Sequence, residues 1–122
     1  MYDIRKLDVY NMALDFSNEI WEICSEWDWF PEKTIGSQLV QSADSISANI
    51  SEGFGRYFYK ENLKFCYYAR GSLEETKYWI QKAYNRNLIK EKEKQKIESF
   101  LNEFPIKFNT YIKKIKEYKD KE

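Results

Sequence analysis

The chain has 122 residues, 43% hydrophobic and 33% charged, with four glycines, two prolines and a formal net charge of zero. That length suits a single domain over residues 1–122, and the scarcity of Gly and Pro favours helices with solvated faces over a turn-rich β fold. The balanced charge argues against a dedicated nucleic-acid binder, and without an apolar run of about 18 residues nothing is expected to span a membrane.

The first predicted helix covers residues 8–27. Tyr10, Ala13, Ser17, Ile20, Cys24 and Trp27 recur at steps of three and four, with Phe16 and Ile23 widening the stripe, and Asp8 is placed to cap it. The second covers residues 32–54, entered at Pro31, with Ile35, Leu39, Ala43, Ile46 and Ile50 on its apolar face. Gly53 and Gly55 are read as the positive-φ positions that close it. The third covers residues 59–86. It has one line through Leu63, Cys66, Leu73 and Ile80 and another through Phe65, Ala69, Ser72 and Thr76, whose small middle lets a neighbour approach. Asn87 is read as its left-handed cap. The fourth covers residues 90–119, with Ile97, Leu101, Phe104, Phe108, Ile112 and Ile115 on one face and a kink or break expected at Pro105. Four amphipathic helices on short loops predict an all-α, antiparallel up-down-up-down four-helix bundle.

Charge is unevenly spread along the chain. Residues 1–59 hold 4 Lys/Arg against 10 Asp/Glu, whereas residues 60–122 hold 16 against 10. Opposite charge in the two halves points to self-association or to a mixed-charge surface more than to a nucleic-acid binder. The N-terminal MYDIRKLDVY has no apolar signal core, and Cys24 and Cys66 lie among apolar residues. A reduced, cytoplasmic protein with two buried thiols is expected.

Histidine is absent, which removes His-based acid–base catalysis, His-dependent nucleophilic triads and most zinc sites. The expectation is a non-enzymatic protein with no cofactor and no small-molecule substrate. SEGFGR, residues 51–56, resembles a phosphate loop only superficially. Its glycines follow a helix, at the negative end of the dipole, whereas an anion needs the free N–H groups of a helix N-terminus.

Beside the apolar stripe of the second helix, Gln38, Ser45, Asn49 and Glu52 form a polar one. With Ser72 and Glu75 of the third helix they are expected to make a buried polar network that fixes the register of the two helices. The 22 aromatic residues exceed what one small core holds. Trp27, Trp29, Phe30, Tyr57, Phe58, Tyr59, Tyr67, Tyr68, Tyr78 and Trp79 cannot all point inward, so they either snorkel as amphipathic rings on the surface or form an oligomer interface. Arg56, Lys64 and Arg70 are the nearby cations available to a nucleic-acid or protein partner.

The strings Gln38-Leu39, Ala43-x-Ser45-Ile46-x-x-Asn49-Ile50-x-Glu52-Gly53-x-x-Arg56 and Gly71-Ser72-Leu73-x-Glu75 resemble the bacterial four-helix-bundle proteins of the 23S rRNA intervening-sequence family. That family includes the accessory variability protein of diversity-generating retroelements. The resemblance implies a bundle assembling into a pentameric barrel and, for the retroelement members, binding to a reverse transcriptase and to RNA or DNA. Where the family carries basic residues after Gln38-Leu39, this chain has Val40, Gln41 and Ser42.

Overall fold

The apolar stripes become the inner faces of helices in the computed structural model, which describes residues 3–122. Among the described residues there are four long helices and no strand: α1 (Asp8–Ser25), α2 (Ser37–Phe54), α3 (Tyr59–Asn85) and α4 (Glu91–Asp120). A 3₁₀ turn, Ile4–Lys6, precedes α1 and is capped by the Asp3 carboxylate, which accepts the Arg5 N–H at 2.9 Å. Between α1 and α2 a helical turn at Trp29–Pro31 runs through a π-helical segment, Glu32–Gly36, straight into α2. Pro31 is tolerated there because first-turn N–H groups have no helical partner to lose. No helix is long and apolar enough to cross a membrane among the described residues.

Packing sets the order around the core. α1 rests on α2 and α4, and α3 rests on the same two helices, so α1 and α3 occupy opposite corners. The interior is filled by Ala13, Phe16 and Ile20 of α1, Leu39, Ala43, Ile46 and Ile50 of α2, Cys66, Ala69 and Ile80 of α3, and Phe104, Phe108 and Ile112 of α4. Phenylalanine rings give α4 its grip: Phe16 stacks on Phe100 at 3.8 Å between centroids, Phe100 on Phe104 at 4.8 Å, and Phe104 on Phe108 at 5.1 Å. The Phe100–Phe104 and Phe104–Phe108 pairs each add about 0.5–1.5 kcal/mol beyond the apolar area they bury.

Three helix ends or interiors differ from the sequence reading. Asp8 is the first helical residue, with Leu7 at the cap, so its carboxylate favours α1 through the positive end of the dipole. Gly53 and Gly55 do not adopt positive φ. Gly53 is buried inside α2, where a Cβ would lie 2.6 Å from Asn62 Oδ1, 2.9 Å from Phe65 Cβ and 3.0 Å from the Asn62 carbonyl oxygen. The glycine is there so that α2 and α3, the most extensively packed pair, can touch at the base of their connection. Pro105 does not break α4, which runs through it to Asp120. A single missing N–H costs one hydrogen bond, and Phe104 and Phe108 on either side hold the helix against the core. Asn87, at φ 58°, does take the left-handed cap after α3.

Gly71 is the opposite of Gly53. It lies exposed in the middle of α3 with nothing within 4 Å of the position its Cβ would take. A glycine in a helix interior costs about 0.5–1 kcal/mol relative to alanine, and no contact within this chain requires it.

Candidate interaction surface

The six residues expected to lock α2 to α3 do not form a network between them. Ser45 Oγ donates to the Gln41 carbonyl at 2.8 Å, and Asn49 Nδ2 donates to the Ser45 carbonyl at 2.8 Å, each one turn back along α2. Glu52 is exposed and accepts from Arg56 at 3.2 Å. On α3, exposed Glu75 accepts from Trp79 Nε1 at 3.1 Å, and half-buried Ser72 lends only its carbonyl, to Thr76. Gln38 is exposed beside Trp79, Lys82 and Arg86. Ser and Asn side chains readily bond the carbonyl one turn back, and here that local option takes them.

The polar link between helices is made elsewhere. Asn62, buried next to Gly53, donates to the Tyr111 hydroxyl of α4 at 3.4 Å and accepts from the Cys66 thiol. Arg70 donates to Asn109 Oδ1 at 3.0 Å, and the Tyr84 hydroxyl donates to Glu98 at 2.9 Å. Sequence reasoning passed over Asn62. Its signal was a lone amide in line with Cys66, Ala69 and Leu73.

Arg56, Lys64 and Arg70 are all exposed, and each cation sits over a ring. Arg56 lies 4.7 Å from the Phe65 centroid, Lys64 5.9 Å from Tyr68, and Arg70 5.6 Å from Tyr67, which also carries Lys116 at 5.9 Å. Phe65 and Tyr68 meet edge to face at 5.5 Å, so Arg56, Phe65, Tyr68 and Lys64 make one continuous patch. Arg70, Tyr67 and Lys116 make a second patch across the α3–α4 seam.

On the α1–α2 side an open groove of about 630 Å³ is lined by Trp21, Cys24, Trp29, Lys33, Val40 and Gln41, among others. Trp21 is 62% and Trp29 69% exposed, and Phe30 beside them is 68% exposed. Lys33 Nζ covers one Trp29 face at 4.9 Å. Trp27 and Trp79, by contrast, pack partly against the core. Sequence reasoning put Trp27 among the surplus aromatics and missed Trp21. Cys24 is free, and burial pushes its thiol up to about 12, as it does Cys66. Neither is a thiolate at neutral pH, so neither is a ready nucleophile. No three His, Cys, Asp or Glu side chains converge to hold a metal ion among the described residues.

The family profile described as 23S rRNA-intervening sequence protein matches residues 5–109, which takes in α1, α2, α3 and most of α4. The chain belongs to this family. A comparison with curated proteins gives no match. The exposed aromatic residues Trp21, Trp29, Tyr67 and Tyr68 of this 23S rRNA-intervening sequence protein all lie within the matched region.

Proposed function

We propose that this 23S rRNA-intervening sequence protein is a non-enzymatic, cytoplasmic scaffold or binding protein that works as a homo-oligomer, a pentamer of antiparallel up-down-up-down bundles. One observation carries the reading: Trp21, Trp29, Phe30, Tyr67, Tyr68 and Tyr78 are exposed around a core that is already filled. Large rings left in water on two sides of a small domain favour burial against other copies. Support for the antiparallel arrangement comes from α3 and α4, where Tyr59 bonds Glu122, Asn62 bonds Tyr111, Arg70 bonds Asn109 and Tyr84 bonds Glu98, partners that descend as the first residue ascends. Light scattering at low micromolar concentration is expected to give a multiple of the 14.9 kDa chain mass, and a single-chain mass would refute the reading.

A second reading has its own observation. The cations Arg56, Lys64 and Arg70 seated on rings suit a partner with phosphates and stacking bases, as an accessory factor to a reverse transcriptase would need. It predicts binding to single-stranded RNA or DNA that weakens steeply between about 50 and 200 mM salt. Absence of any gel shift at the lower salt would remove its nucleic-acid half.

A further inference from the structure

We propose that the groove between α1 and α2 binds a small zwitterionic aromatic compound of the aromatic amino-acid class. The ring lies against Trp21 and Trp29, the ammonium meets Glu32 and the carboxylate meets Lys33. The site lies within one chain and is one of binding without turnover, so it does not depend on the self-association reading.

The shape of the groove is the first reason. At about 630 Å³ it falls in the range of small-molecule sites, roughly 300–1,000 Å³, and like them it is mainly apolar with a few polar groups. Its floor forms where α1 and the entry to α2 come close. Gly36 is buried there, and a Cβ on it would lie 3.4 Å from the Pro31 carbonyl oxygen, 3.4 Å from Trp27 Cε3 and 3.5 Å from Cys24 Cβ. Trp21 and Trp29 border the groove from α1 and from the turn that follows it, and both are exposed. Indole faces take flat rings and cations alike.

Charge is the second reason. Glu32 and Lys33 are the charged residues among those lining the groove. Both are exposed, and neither forms an ion pair among the described residues. Lys33 rests its ammonium on Trp29 instead, 4.9 Å from the ring centroid. Glu32 acts on the floor, where the Cys24 thiol is held neutral by burial first and by the Glu32 charge next. A ligand with only an anion is repelled by Glu32, and one with only a cation by Lys33. A compound carrying both charges beside an apolar ring matches the whole lining.

The backbone is the third. Glu32, Lys33 and Gly36 all belong to the π-helical segment Glu32–Gly36. π-Helical turns are rare and recur at functional sites. This one brings the two charges and the glycine floor of the groove together.

L-Phenylalanine is the probe, because it does not absorb where tryptophan is excited. Titrated into the full-length protein and followed by tryptophan fluorescence and calorimetry, it is expected to bind saturably at roughly 1 mM or below. Phenethylamine, which lacks the carboxylate, and phenylacetate, which lacks the ammonium, are expected to bind about two- to fivefold more weakly. Lys33→Gln is expected to abolish the preference over phenethylamine, and Glu32→Gln the preference over phenylacetate. Trp21→Ala is expected to weaken L-phenylalanine at least about fivefold, read by calorimetry. All three residues are exposed, so circular dichroism of each variant is expected to match wild type. The proposal is overturned by a wild type that shows no saturable binding, or that binds either single-charge compound as tightly as L-phenylalanine. An unchanged affinity in Trp21→Ala, or a probe order that survives both charge substitutions, would overturn it too. None of these outcomes bears on the mass of the protein in solution, which tests the self-association reading separately.

Discussion

Replacing Gly53 by alanine puts the close approach of α2 and α3 to a direct test. The added methyl would sit 2.6 Å from Asn62 Oδ1, 2.9 Å from Phe65 Cβ and 3.0 Å from the Asn62 carbonyl oxygen. Two of those three atoms belong to the backbone or to its first side-chain carbon, which no rotamer change moves away. Forcing the helices apart costs about 1–3 kcal/mol as overpacking. Displacing buried Asn62 from Tyr111 and Cys66 adds about 1 kcal/mol. Alanine returns about 0.5–1 kcal/mol in helix propensity. The net expectation is a loss of about 1–3 kcal/mol, which is a urea midpoint roughly 1 M below wild type at unchanged slope. Gly71→Ala, measured beside it at a concentration where the chain is dissociated, gains the propensity without the clash and is expected to raise the midpoint. A Gly53→Ala midpoint at or above wild type would refute the steric account.

Other substitutions separate the parts of the account. Phe104→Ala removes the centre of the ring stack on α4 and is expected to cost about 3–5 kcal/mol, read as a large drop in denaturant midpoint. Glu52→Ala deletes only an exposed pair with Arg56 and is expected to shift stability by less than about 1 kcal/mol; a larger loss would return Glu52 to a buried network. Both thiols have folded-state pKa values raised from 9.0 to about 12, so the stability they contribute is present below pH 9 and is lost as pH rises towards 12. Wild type is expected to lose up to about 1.4 kcal/mol per pH unit per thiol in that window, and Cys24→Ala/Cys66→Ala to show a shallower alkaline slope than wild type.

The sequence made the helices legible and the contacts between them much less so. Ile46, Ile50, Phe104 and Phe108 recur at helical spacing, and burial follows directly from that period. Asn87 after α3 was equally readable, because few residues other than glycine tolerate positive φ. Ser45 and Asn49 misled because composition does not distinguish a side chain bonding across helices from one bonding its own helix. Gly53 looked like a stop signal, and the reason it is glycine lies in Asn62 and Phe65, 9 and 12 residues further on. Trp21 falls off the apolar stripe of its helix and carried no signal of its own, and in the fold it turns outward beside the α1–α2 groove.

Sedimentation equilibrium over a range of concentrations tests the central claim, self-association through the exposed aromatic faces, most directly. The account predicts an assembly of five 14.9 kDa chains that dissociates only on dilution. A single-chain mass throughout would contradict it.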